Sequence, residues 1–217
     1  LAWAAPVLRQ TDRLAAYRPA LAHLWSIGVL SPCTCTRRDI GAAASAPQEG
    51  MPLIGPDGIV YPGTCRRVPT GAMPEDGVLR LNMGQARELL PALSFEEVGD
   101  ARAGTVALPP ARLIEEVGDV VLARRNMGTS YHLSVVVDDA QQGITQVTRG
   151  EDLFDATAIH VVLQHLVDLP TPIYRHHRLI RDHAGKRLAK RDDARAIRLY
   201  REEGLTPSDI RALVGLR

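Results

Sequence analysis

Cysteine is scarce in this chain, and the little there is suits a disulfide framework poorly. Three Cys occur in 217 residues, and two of them, Cys33 and Cys35, are separated by one residue. An odd count with that spacing argues against a stapled secreted scaffold and for a reducing cytoplasm. Long apolar runs are missing as well: none approaches the ~20 residues that a membrane span requires, which leaves no membrane role to assign. No basic segment followed by an apolar stretch comes after Leu1, so a secretory leader is not read here. Leu1 stands where an initiator Met would, and the expectation is a fragment, a processed chain or an incomplete reading of a gene. Charge of either sign is nearly balanced at +1. No internal repeat is visible.

What is present reads as one α/β domain, or one domain with a small appendage. Hydrophobic residues make up 45% of the chain and charged residues 24%, a globular composition. The charge is unevenly spread. From Arg175 to Arg201 there are ten Lys/Arg against three Asp, a local excess of seven positive charges. Such a stretch suits an anionic partner, ATP phosphates or an RNA backbone, and equally a solvated basic face.

Periodicity places the elements. Val7 to Gly28 reads as a helix entry and a helix, capped by Thr11 or Asp12, with Leu14, Tyr17, Leu21, Leu24 and Trp25 on one face, Pro19 as a kink or a later start and Gly28 as its stop. Ile40 to Met73 is rich in Gly, Pro and Ala and is expected to be loops and turns. Val78–Asn82, Gly118–Ala123, Tyr131–Val137 and Gly143–Thr148 read as strands; the β-branched run Val135-Val136-Val137 suggests burial. A helix is expected from Thr157, carried by Ile159, Val162, Leu163 and Leu166 and stopped by Pro170. Tyr174 to Ile180 is extended. Two helices close the chain: Ala194 to Glu203, ended by Gly204, and one capped by Thr206-Pro207-Ser208-Asp209. Alternating strands and helices indicate an α/β class.

Three groups of residues carry candidate chemistry. Cys33-x-Cys35 and Tyr61-x-x-x-Cys65 bracket the Gly/Pro-rich segment. Three thiolates can serve three positions of a tetrahedral zinc; Tyr61 could supply a phenolate oxygen at the fourth, an unusual ligand that spacing alone does not nominate, and three ordinary small residues in a loop would show the same spacing. Tyr131 at the start of one strand and Arg149 just past the end of the next would flank the crevice where open α/β sheets bind ligands. An Arg there can grip a carboxylate with two parallel bonds, or can pair with Glu151 or Asp152. Lys186-Arg187-Leu188-Ala189-Lys190 is a basic turn able to close over phosphates.

Taken together and in this order, these pieces resemble the back two-thirds of a class I glutamyl-tRNA synthetase catalytic domain. Beside them stand Tyr131-His132-Leu133, Val135 to Asp139 and Arg149-Gly150-Glu151-Asp152-Leu153. The resemblance runs from Arg9-Gln10-Thr11-Asp12-Arg13 to the end and is strongest to the short branch of that family. It implies a Rossmann-like catalytic domain with a small zinc-binding insertion. The parts would be a catalytic-domain helix over 1–30, the insertion over 31–75, the second half of the catalytic domain with the ATP loop over 76–190, and a helical segment over 191–217. It further implies ATP-dependent activation of L-glutamate, assisted by Mg2+, and transfer to the queuosine base of tRNA(Asp) by a cytoplasmic monomer.

By the same resemblance Cys33, Cys35, Tyr61 and Cys65 hold a structural Zn2+ and Tyr131 and Arg149 bind L-glutamate. Lys190 is the catalytic contact to ATP, in a loop with Arg187, Leu188, Ala189 and Arg191. Two positions depart from the family pattern: Gln146 stands where a His is common, and Ala189 replaces the Ser of the Lys/Arg-Leu-Ser-Lys form, deleting one hydroxyl. Asp138 and Asp139 read as scaffold residues at a strand end. The family's first ATP motif is not found: no His-x-Gly-His occurs in the sequence. The expectation is that the first βα part is missing and that the chain alone forms glutamyl-adenylate inefficiently. A piece of a discriminating glutamyl-tRNA synthetase and a non-catalytic zinc- or RNA-binding remnant are the competing readings.

Overall fold

The computed structural model describes residues 7–45, 54–182, 184–188 and 195–216. A 3-10 turn over Gln10–Arg13 leads into α1, Leu14–Ser26. Tyr17, Leu21 and Leu24 are buried at positions i, i+4 and i+7. The helix runs through Pro19. Pro19 and Ala15, whose carbonyl loses its N–H partner, both lie on the exposed face, where water can take that bond. Gly28 ends the helix with φ 79°: its N–H reaches Trp25 O and that of Val29 reaches Leu24 O, a turn that a side chain would strain.

β1 (Leu30–Cys33) follows. The expected loop region then begins with a helix, α2 (Arg37–Ala44), because Thr36 and Asp39 form a reciprocal capping box at its start. A two-residue hairpin, β2 (Ile54–Gly55) and β3 (Gly58–Ile59), turns through Pro56-Asp57. β4 (Val78–Leu81) lies between β1 and β7 (Val121–Ala123) in an antiparallel three-stranded sheet, with Cys33 opposite Val78. Asn82 caps the short α3 (Met83–Glu88). α4 (Pro110–Arg112) runs on into a π turn over Leu113–Val117, so the strand expected from Gly118 begins only at Val121.

The second sheet has four strands in the order β6-β5-β9-β8. β5 (Leu93–Glu97) and β6 (Gly104–Leu108) form an antiparallel hairpin. β8 (Gln146–Gly150), α6 (Thr157–Leu166) and β9 (Ile173–His177) form a parallel βαβ unit in register from Gln146↔Ile173 to Gly150↔His177. Arg149 therefore lies within a strand, not past its end. α6 is the inner wall of the molecule, with nine of its ten residues buried. α7 (Ile197–Glu202) is shorter than expected, and the proposed start at Ala194 lies outside the described residues. α8 (Pro207–Leu213) carries the Thr206/Asp209 capping box that its sequence announces. Among the described residues no helix is long and apolar enough to cross a membrane.

The largest correction concerns Tyr131 to Val137, which is not a strand but the start of α5 (Tyr131–Gln141). Its buried residues His132, Leu133, Val136 and Val137 follow helical spacing and pack toward α6 and α1. Burial of that face outweighs the few tenths of a kcal/mol per residue that Val loses in a helix. Asp138 is correspondingly mid-helix. It ties α5 to the first helix, accepting from Arg13 Nε and from the Tyr17 hydroxyl, both at 2.9 Å.

Candidate functional site

The thiols meet where β1 ends. Cys33, Cys35 and Cys65 bring their sulfurs within 4.8 Å of one another. The Tyr61 hydroxyl lies 3.6 Å from Cys33 Sγ and 3.4 Å from Cys35 Sγ, and accepts from the Cys65 N–H at 2.6 Å. Arg80, unsuspected from the sequence, holds this group from β4. Its guanidinium lies 4.2 Å from the centre of the Tyr61 ring and its Nε–H donates to Cys33 Sγ at 3.4 Å. Cys35 and Cys65 sulfurs are 3.0 Å apart. Donation from the Cys35 thiol, then from backbone at Thr34, lowers Cys65 to about 6. Cys35 rises to about 11: its bond to Tyr61 works against the shift, but Cys65, burial and Cys33 together outweigh it. Burial, then the neighbouring thiols, raises the Tyr61 phenol. The donor chemistry fits a thiophilic ion: a tetrahedral zinc with bonds of about 2.3 Å spaces its sulfurs about 3.8 Å apart, within the spread seen here.

The second group is built by the βαβ unit and α5. Arg149 projects from β8 and uses three of its five N–H donors on named partners. Nε donates to His176 Nε2 at 3.0 Å, Nη1 to His160 Nδ1 at 3.0 Å, and Nη2 to Thr157 Oγ1 at 2.5 Å. His176 sits opposite it on β9, and Thr157 and His160 lie on the first turn of α6. His176 in turn meets Glu97 Oε2 through Nδ1 at 2.5 Å. His160 Nε2 lies 3.1 Å from His132 Nδ1, and His132 Nε2 lies 3.4 Å from Asp57 Oδ1 on the β2–β3 turn. Tyr131, half exposed at the first position of α5, packs its ring edge-on 5.8 Å from the His160 ring. The two residues singled out in the sequence are thus neighbours across one imidazole. The three histidines around them were not foreseen, because His132, His160 and His176 lie on separate elements, α5, α6 and β9, and only the tertiary fold joins them.

This network is polar, and most of it is withdrawn from water. Glu97, Thr157, His132, His160 and His176 are all buried. Burial, then the positive charge of Arg149, holds His160 well below the ordinary histidine range, and the neighbouring His132 and His176 act in the same direction. Burial alone would raise Glu97, but backbone and side-chain bonds from His176 and the Gly99 N–H lower it instead. Asp139, one residue past Asp138, is raised by burial and then by Asp138, and Arg149 acts on it in the opposite direction.

Of the basic loop, Ala189, Lys190 and Arg191 lie outside the described residues. The part before them is a tight turn. Asp182 Oδ1 accepts from the Ala184 and Lys186 N–H groups, Gly185 has φ 77°, and the Leu188 N–H returns to Ile180 O at 2.9 Å. Arg187 pairs with Asp152, three residues beyond Arg149, while Leu188 is exposed.

Solved structures share the fold. A glutamate tRNA ligase from Elizabethkingia meningosepticum superposes with TM-score 0.61 at 22% identity, covering 87% of this chain and 38% of that one. A glutamate-tRNA synthetase from Elizabethkingia anophelis does so with TM-score 0.60 at 21% identity, covering 85% and 37%. The fold is that of a class I tRNA synthetase catalytic domain, and the family model described as tRNA synthetases class I (E and Q), catalytic domain, matches residues 79–217.

Glutamyl-Q tRNA(Asp) synthetase of Rhodobacter capsulatus is 61% identical over 220 residues, spanning 100% of this chain and 77% of that protein. Proteins of the same name from Symbiobacterium thermophilum and Nocardia farcinica are 39% and 37% identical, and the chain spans 59% and 64% of their lengths. The chain belongs to the family of class I glutamate and glutamine tRNA synthetases, in its glutamyl-Q tRNA(Asp) synthetase branch.

Proposed function

We propose that the protein activates L-glutamate with ATP, assisted by Mg2+, and transfers it to the queuosine base of tRNA(Asp). The observation that carries this reading is the convergence of Arg149 and Tyr131 on one buried polar centre in a chain of this family. Arg149 has two N–H donors beyond the three described above, the number a carboxylate takes side by side. Tyr131 offers a hydroxyl at the exposed rim. In the reaction the glutamate α-carboxylate attacks the α-phosphate of ATP, the bond to the β-phosphate oxygen breaks, and pyrophosphate leaves. Lys190, with the loop of Arg187, Leu188, Ala189 and Arg191, supplies positive charge to the phosphates as charge builds on them. Ala189 offers no hydroxyl for that purpose, which weakens the step without abolishing it.

Cys33, Cys35, Tyr61 and Cys65 would hold a structural Zn2+. The ion would fix β1 against the segment that bears Tyr61 and Cys65 and so order the region facing the tRNA. Residues 31–75 would act as the zinc-bearing insertion and 76–190 as the half of the catalytic domain carrying the amino-acid pocket and ATP loop, between the helix of 1–30 and the helical segment of 191–217. The protein would work as a monomer in the cytoplasm, where thiols stay reduced.

The test is glutamate-dependent ATP–pyrophosphate exchange by the full-length gene product without tRNA, followed by transfer of labelled glutamate to tRNA(Asp) with and without queuosine. Exchange, with label accepted only by the queuosine form, is expected. Label on the 3′ end of tRNA(Glu) would make the protein a discriminating synthetase instead. No exchange at all would leave a zinc- or RNA-binding module.

A further inference from the structure

Arg149 is a half-buried cation surrounded by neutral acceptors. Among the described residues it forms no direct ion pair; its partners are two imidazole nitrogens and one hydroxyl. The nearest carboxylates in the network stand one imidazole away, at Glu97 behind His176, and two away, at Asp57 behind His160 and His132. Asp139 acts on Arg149 only through space.

The proton positions follow from the donors. An arginine can only donate, so His176 Nε2 and His160 Nδ1 both accept. The remaining proton of His176 is then on Nδ1, aimed at Glu97, and that of His160 on Nε2, aimed at His132 Nδ1. His132 must then carry its proton on Nε2, toward Asp57. Each bond fixes the next, and all three rings are neutral. The well-depressed His160 agrees with this assignment.

We propose that His160 and His176 are positioning residues that set the preference for glutamate over its amide, glutamine. They hold the Arg149 guanidinium in one plane without neutralising it. A carboxylate placed directly on Arg149 would cancel its charge and leave an amide nearly as welcome as an acid. An imidazole acceptor orients the fork and keeps its full charge for the substrate. The inference rests on the reading of Arg149 and Tyr131 as the glutamate pocket. It adds that selectivity depends on which ring nitrogen faces Arg149.

Carboxamide replacements read that direction. The Asn oxygen stands where histidine Nδ1 stood, and the Gln oxygen stands near the position of Nε2. His160→Asn and His176→Gln thus keep the acceptor for Arg149, whereas His160→Gln and His176→Asn lose it. The full-length gene product would be assayed by ATP–pyrophosphate exchange with glutamate and with glutamine, and by thermal melting.

At each position the acceptor-losing variant should show a glutamate KM at least about tenfold above its acceptor-keeping partner, the loss typical of a charged donor left unpaired. Its glutamate-to-glutamine preference should fall in step, while kcat and melting temperature stay alike within each pair. A purely structural role would rank Asn and Gln the same way at both positions, and that result overturns the proposal. Arg149→Gln separates the two readings: if it leaves the glutamate KM unchanged, the pocket reading fails along with the proposal. If it raises KM while the swaps show no crossed order, only the proposal fails. The unmutated protein gives a second test, independent of how the variants fold. Long-range proton–nitrogen NMR spectra should show neutral His160 protonated on Nε2 and neutral His176 protonated on Nδ1; the opposite tautomer, or a charged ring, at either position at neutral pH overturns the assignment.

Discussion

Arg149 and His176 face one another across parallel strands β8 and β9, and the Arg149 Nε–H donates to His176 Nε2 at 3.0 Å. The pairing makes the candidate pocket a property of the βαβ unit, since α6 between the two strands contributes Thr157 and His160. From outside it, Tyr131 and His132 reach in from the first turn of α5, and Glu97 backs His176 from β5. Tyr131 is half exposed, so its hydroxyl bears little on folding. Tyr131→Phe should raise the KM for glutamate about 10- to 100-fold, the worth of one hydrogen bond to a charged group. The melting transition should stay within about 0.5 kcal/mol of the parent, as for an ordinary surface change. An unchanged KM in steady-state exchange assays would remove Tyr131 from the pocket.

His160 gives the fold a pH dependence with a definite sign. His160 is depressed in the folded protein, so the unfolded chain binds its proton first. Its contribution is complete above the unfolded value near 6.5 and is lost as pH falls below it, with a limiting slope of about 1.4 kcal/mol per pH unit for one proton. Glu97 is also lowered, but its window opens only below the ordinary carboxylate range near 4.5. Urea unfolding of the parent should therefore weaken between pH 6.5 and 5, and His160→Asn should flatten that limb while leaving the limb below 4.5. A parent curve flat through the upper window would show that His160 titrates normally.

How far the chain could be read before folding depended on how local the signal was. Tyr17, Leu21 and Leu24 mark α1, Ile159, Val162, Leu163 and Leu166 mark α6, and Thr206 with Asp209 marks α8, because each pattern lies within a few turns. The Val135-Val136-Val137 run misled because β-branching is a weak preference that packing against α6 and α1 overrides; the His132, Leu133, Val136 and Val137 spacing was the better guide. The Cys and Tyr spacing named a cluster that the fold does gather. Arg80 over Tyr61 and the His132–His160–His176 series had no sequence pattern to announce them, since their members are joined only by tertiary contact.

Chemistry and metal binding should come apart under mutation. The reading gives Lys190 to the phosphates of ATP and gives it no part in the thiol cluster. Lys190→Ala should lower glutamate-dependent exchange about 100-fold or more, as for loss of a charge aimed at the transition state. Zinc content by atomic emission should remain that of the parent. A joint loss of exchange and zinc would mean that the loop and the cluster fold as one unit, and the separate roles would have to be given up.

The thiol cluster makes the last expectation, and its geometry says which change matters most. Cys33 is buried at the end of β1 and bonded from Arg80, whereas Cys65 lies on the returning segment and donates its N–H to Tyr61. A metal shared by these residues would tie β1 to that segment, closing a loop of some thirty residues. Cys65→Ser should reduce bound zinc from about one per chain toward zero, because an alcohol is a poor replacement for a thiolate. It should also expose 31–75 to limited proteolysis while leaving the four-stranded sheet protected. Treating the parent with a chelator should reproduce the same cleavage pattern, and adding zinc back should reverse it only where Cys65 is intact. If the parent binds no zinc, or if chelation unfolds the β8–α6–β9 unit as well, a local structural role for the cluster is wrong.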